Sequence, residues 1–178
     1  MNWYALVRPF LDIALIRDGP QCLPTSRLLL TVAYLGYAVV AVVVFGMRYS
    51  ASTVIAAVVL DLVLVTAFFA LVLDFKGQRA RIVQSLTAIV GTSALLGFCL
   101  LPVQVWLLQA DHGEAIHQGH ALVWLLLVAW DMLIRANVLR NALELRWGMA
   151  LAYSFAYFWV SLRMMQGLLG ALGAIGTS

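Results

Sequence analysis

The sequence predicts an all-α membrane protein: a polytopic bundle of five transmembrane helices with an N-terminal interfacial amphipathic helix. Three observations predict it. Hydrophobic residues are 64% of the chain and charged residues 11%, against roughly half and a quarter in soluble domains, so lipid must solvate most of the surface. The apolar residues form five runs, at about 28–46, 51–73, 82–104, 120–138 and 148–170, each close to the roughly 20 residues a helix needs to cross a bilayer. The runs are continuous, without the period-two alternation of a barrel strand, so helix is favoured over strand.

Residues 1–26 read as a cytoplasmic interfacial segment. Trp3, Leu6, Val7, Phe10, Leu11, Ala14 and Leu15 recur at three-four spacing on one helical face, with Arg8 and Asp12 on the other. Pro9 is compatible with a first helical turn, which would shorten the helix. Gly19 and Pro20 end it, and Leu23-Pro24-Thr25-Ser26 supplies a cap for the first span. Arg8 and Asp12 interrupt the first apolar stretch and no small-residue cleavage site follows. The first span is therefore expected to be an uncleaved signal-anchor.

Residues 27–171 are the expected five-helix transmembrane domain. Its second span carries Thr53, Ala57 and Asp61 on one small-to-polar face, and its third carries Ser93 and Gly97 at small-xxx-small spacing, which lets backbones approach. Pro102 is expected to end or kink the third span. Residues 172–178 read as a short outer tail. Glycines at 167, 170, 173 and 176 each weaken a helix by roughly 1 kcal/mol relative to alanine, so this end is expected to fray.

The basic residues orient the bundle. Arg8, Arg17, Arg27, Lys76, Arg79, Arg81, Arg135, Arg140 and Arg146 fall on one side if five spans alternate, and only Arg48 on the other. By the positive-inside rule the N-terminus is cytoplasmic and the C-terminus external, periplasmic in a bacterial inner membrane. Cys22 lies in the cytoplasmic segment and Cys99 inside a span, so no disulfide framework is implied.

Asp61, Asp131 and Arg163 lie within spans, where an ionisable residue is expensive and needs a partner. Matching their depths pairs Asp61 with Arg163, as a packing lock or as part of an ion path. Arg135 is one turn from Asp131 and pairs with it within the helix. Outside the spans, Asp111, His112, Glu114, His117 and His120 gather in the outer loop. His112, His117 and His120 are candidate metal ligands by type, but they match no zinc motif, so a solvated loop is the expectation. There is no phosphate-binding loop, serine elbow or Cys-x-x-Cys, and neither an enzyme nor a cofactor is expected. Lys76, Arg79, Arg81, Arg140 and Arg146 form a cytoplasmic basic rim, suited to anionic headgroups or an acidic partner segment.

Five spans, short loops and a proline-bearing cytoplasmic segment before the first span resemble the Ypt-interacting-protein (YIP) domain family across about residues 9–170. The Asp-Leu-Tyr-Gly-Pro motif of eukaryotic members is reduced here to Asp18-Gly19-Pro20. The segments Pro20 to Pro24 and Trp130 to Glu144 also resemble small uncharacterised inner-membrane proteins of proteobacteria. The resemblance implies interaction with other membrane proteins and no catalytic residues. The expected role is a non-enzymatic inner-membrane accessory or scaffold protein that binds another membrane or envelope component, with the bilayer and another membrane protein or a second copy as partners, and no nucleic acid. The alternative is a small transporter or ion-conducting oligomer using Asp61, Asp131 and Arg163.

Single cysteines placed in a chain lacking Cys22 and Cys99 test the orientation. Ala115→Cys should label from outside and Gln78→Cys only from inside; labelling of both from one side excludes five alternating spans.

Overall fold

A computed structural model describes residues 3–109 and 117–175. They form six α-helices and no strand: α1 (Trp3–Ala14), α2 (Arg27–Gly46), α3 (Ala51–Phe75), α4 (Ile82–Gln109), α5 (His117–Leu143) and α6 (Trp147–Ile175). Four of them, α2 to α5, are long and apolar enough to cross a membrane. The 29-residue α6 is longer still, but Arg163, Gln166 and its tyrosines and serines dilute its apolar character. Large apolar side chains project outward along the long helices, among them Leu28, Val39, Ile55, Leu71, Phe98 and Leu126. Such a surface is stable only against an apolar solvent.

The helices form an irregular ring in the order α2, α4, α5, α6, α3 and back to α2, with α4 also touching α3. The closest seam joins α2 to α4. A Cβ added at Gly97 would lie 2.6 Å from Val40 Cγ1, and one at Gly36 would touch Ala94. Between α2 and α3, hydroxyl groups form two rungs: Tyr34 bonds Thr66 at 2.6 Å, and Tyr37 donates to Asp61 at 2.5 Å. Without water to compete, such bonds hold helices whose apolar faces lipid would solvate equally well.

Local chemistry sets the helix ends. Ser26 caps α2, its hydroxyl accepting from the Leu29 N–H at 3.3 Å. At one end of the bundle three helices finish alike, with a residue at positive φ (Ile16 at 59°, Gly77 at 72°, Glu144 at 54°) and the next N–H returning to a carbonyl of the last turn: Arg17 to Asp12, Gln78 to Leu73 and Leu145 to Arg140. Glycine adopts that conformation freely, whereas branched Ile16 does so at a cost of about 1–2 kcal/mol. Its side chain packs against the core, and that contact offsets the strain.

That end also holds the densest packing. Ser85 to Val90 of α4 and Ile134 to Leu139 of α5 are buried without interruption, so each helix has neighbours on every side there. The N-terminal segment supplies the last neighbour. Phe10, Ile13 and Ala14 are buried against α4 and α5, and the Phe10 ring occupies the space where a Cβ on Gly91 would stand. Trp130 Nε1 donates to the Ala14 carbonyl at 3.1 Å, Asn137 Nδ2 to that of Asp18 at 2.8 Å, and Gln84 Nε2 to that of Leu23 at 2.6 Å. Asn141 lies against Gly19.

Four sequence expectations shift. The face of α1 that packs runs through Phe10, Ile13 and Ala14, while Leu11 and Leu15 stay exposed at 39% and 47%; a helix laid into a groove contacts neighbours over a different arc from one laid on a plane. Its helix also runs through Pro9 from Trp3. Pro102 does not end α4, which continues to Gln109, and α6 extends through its glycines to Ile175. An apolar solvent keeps backbone groups bonded within the helix, and that outweighs weak glycine propensity.

The seat of Phe10 on Gly91 is testable. Gly91→Val should cost about 1–3 kcal/mol by overpacking and raise amide exchange across residues 7–16. Adding Phe10→Ala should make that variant no worse. Additive losses would show that the two positions do not meet.

Candidate functional site

Near the middle of the bundle, α2, α3, α5 and α6 each turn a polar group inward. Asp61 comes from α3 and accepts the Tyr37 hydroxyl of α2. Asp131 and Arg135 lie one turn apart on α5, and Arg135 Nε donates to Asp131 Oδ2 at 2.7 Å. The guanidinium lies over the Tyr157 ring of α6, 4.6 Å from its centroid. Tyr157 is held in turn by Phe69 at 5.1 Å and Phe68 at 5.4 Å between centroids. Such aromatic contacts are worth about 0.5–1.5 kcal/mol each. Ser154 ties α6 to α5 by donating to the Met132 carbonyl at 2.8 Å. Arg135 is therefore fixed from two sides, and its side chain is only 10% exposed. Its Nη1 atom is buried and has no partner among the protein groups.

A cavity of about 500 Å³ opens beside this group, between α2, α3, α4 and α5, with a second of about 280 Å³ between α3, α4, α5 and α6. Asp61, Leu100, Gln104, Leu127, Asp131 and Arg135 border both, so the charged residues belong to their common wall. Most of the remaining lining of the larger cavity is aliphatic or aromatic, including Val40, Phe45, Leu96 and Trp130. An apolar chamber with a few convergent polar groups is the general form of a small-molecule site.

The expected Asp61–Arg163 pair does not form. Arg163 is exposed and lies over the Trp159 ring at 4.6 Å. Depth matching fixes only the level of a residue along its helix. Six residues separate Arg163 from Tyr157, which rotates it by about 120° away from the inward face. The Asp131–Arg135 pair is present as expected, but Arg135 belongs to the cavity rather than to the helix-end basic residues; it lies about two turns before Leu143.

The basic rim is largely committed within the chain. Arg79 bonds Asp74 through two nitrogens, and that carboxylate raises its already high pKa. Arg81 donates to the Ala142 carbonyl at 2.8 Å and meets Glu144 at 3.3 Å, compensating the negative end of α5. Arg140 lies over Trp147 at 4.7 Å, whereas Lys76 and Arg146 are exposed. The Cys22 thiol, next to this rim, is pushed up by partial burial and by Asp18. His112 lies outside the described residues. His117 and His120 fall in the first turns of α5, and nothing is described of their side chains. Among the described residues, no cluster of three metal-ligating side chains forms.

Tyr37 and Tyr157 escaped the sequence reading. A signal for them exists, because a tyrosine in mid-span must find a partner for its hydroxyl or stack on something.

No protein-family model, curated protein or solved structure matches this chain.

Removing one member of the Asp131–Arg135 pair leaves a charge without compensation. Asp131→Asn should therefore cost about 3–5 kcal/mol, and Asp131→Leu with Arg135→Met should recover much of it. Arg163→Gln should stay within about 0.5 kcal/mol of the wild type, as surface substitutions do. Equilibrium unfolding in mild detergent compares them, and a loss at Arg163 as large as that at Asp131 would refute the assignment.

Proposed function

We propose that this chain is a five-span integral membrane protein that holds a small solute in its central cavity, acting as a small transporter rather than as an enzyme. The observation that carries this reading is the convergence of Asp61, Asp131 and Arg135 on a cavity of about 500 Å³ in the middle of apolar helices. Ionisable groups placed there are costly, and a purely structural pair needs no chamber beside it. The unpartnered Arg135 Nη1 gives a solute a donor to bond.

An accessory role would rest on the absence of catalytic motifs and on small-residue faces at Ala57 and Gly97. Within the chain Ala57 is fully buried and Gly97 receives Val40 of α2, which favours the cavity as the functional feature. The fifth span is α6, with enough length to cross. Arg17, Lys76, Arg79, Arg81, Arg140 and Arg146 lie near the end of the bundle where α3 and α5 finish and α4 and α6 begin. The positive-inside rule places that end in the cytoplasm, with the C-terminus periplasmic in a bacterial inner membrane.

Cysteine accessibility tests the cavity. In a chain lacking Cys22 and Cys99, Ser93→Cys should react with a small cationic methanethiosulfonate. Ser85→Cys, fully buried and outside the cavity, should react far more slowly. Equal protection at both positions would rule out a solute chamber.

A further inference from the structure

Resting on that reading, we infer that the solute is a lipophilic cation, and that it is taken up at Asp61 in competition with a proton. The argument is one of charge balance. The site holds two carboxylates, Asp61 and Asp131, and one guanidinium, Arg135. The guanidinium belongs to Asp131, its nitrogen 2.7 Å from that carboxylate. Arg163, the cation of α6 expected at a similar depth, is exposed and lies over Trp159. Asp61 receives only the neutral hydroxyl of Tyr37.

Among the described residues, the elements that border the cavities around Asp61 bring no further charge. α2 presents Tyr37, α5 presents Asp131 and Arg135, α6 presents Tyr157, and α4 presents uncharged Ser93 and Gln104. With both carboxylates ionised the site carries one negative charge in excess. In a medium of low dielectric an excess charge is neutralised rather than tolerated. Among the described residues the site holds no second cation, so a proton or a positively charged solute fills that role.

The walls fit such a solute. Tyr37, Phe45 and Trp130 offer aromatic surface to a cationic centre, and Val40, Leu96 and Leu100 offer apolar surface to its body. An anion at Arg135 would instead add a second negative charge to a site already in excess. The free Nη1 donor suits a neutral acceptor oxygen. Proton and cation then exchange one for one: a cation entering when Asp61 is protonated releases that proton to the medium, and the charge of the site is unchanged.

Tetraphenylphosphonium and tetraphenylborate, ions of matched shape and opposite charge, provide the test. The full chain is reconstituted in phosphatidylcholine nanodiscs, and saturable binding is measured against empty discs. Each ion is measured by itself: tetraphenylborate should not saturate, and tetraphenylphosphonium should saturate and weaken about tenfold per pH unit once Asp61 is mostly protonated. Asp61→Asn should weaken it at least about tenfold, the least that losing a charge-assisted contact costs, while Asp61→Glu retains it. Should Asp61→Asn fail to fold, the pH dependence and ion selectivity of the wild type decide alone. Saturable tetraphenylborate binding without tetraphenylphosphonium binding overturns the cation inference and leaves the cavity reading intact. Cation binding independent of pH overturns the exchange at Asp61. Saturation by neither ion overturns the inference, and reactivity of Ser93→Cys then decides whether the cavity reading falls with it.

Discussion

The Arg135 guanidinium is the group on which the interior depends. It is fully charged at any ordinary pH and sits where an uncompensated charge would be ruinous, so its surroundings are built to hold it. Asp131 neutralises it within α5, Tyr157 offers a ring face from α6, and Phe68 and Phe69 of α3 brace that ring. One cation thereby fixes the relative rotation of three helices. Hydrophobic packing alone would leave those rotations loosely set, because lipid is as good a partner for leucine as another helix is.

A second consequence is asymmetry along the bundle. Toward the end where α1 docks, α4 and α5 are enclosed for six residues each, and the interior is filled. On the other side of Arg135 the space between the helices opens into the two cavities. Filled and hollow halves meet at the charged residues. Trp130 touches both, lining the larger cavity while its indole nitrogen bonds the Ala14 carbonyl. Position along the helix thus decides whether a polar side chain is locked or faces open space: Asn137 is tied to the Asp18 carbonyl, whereas Gln104 borders both chambers.

The helical spans were legible because a continuous apolar run of bilayer length admits few other structures. Ser26 as a cap and the Asp131–Arg135 pair were legible because both are local, set by residues three and four apart. The rotation of one helix against another was not. The pairing expected for Asp61 rested on depth, and every helix offers some residue at a given depth; which one faces inward is decided by side chains on other helices, such as the aromatic cluster that turns Tyr157 in and Arg163 out. Tyr37 as the partner of Asp61 depended on the same hidden angle. Ile13 was missed for a related reason, since α1 packs in a groove made by residues far along the chain.

That distance has a consequence for how the protein is made. Ala14 and Trp130 are 116 residues apart, and ribosomes add about 5–20 residues per second, so α1 waits roughly 6 to 23 s for its hydrogen-bond donor on α5 to be synthesised. During that interval the helix must rest somewhere, and an apolar face in water would invite aggregation. The bilayer surface is the available shelter. Leu11 and Leu15, which stay 39% and 47% exposed in the finished bundle, give α1 a grip on lipid until the groove exists. Their apolar character thus belongs to the chain in transit as much as to the folded protein, and polar residues there would burden biogenesis before the bundle is complete.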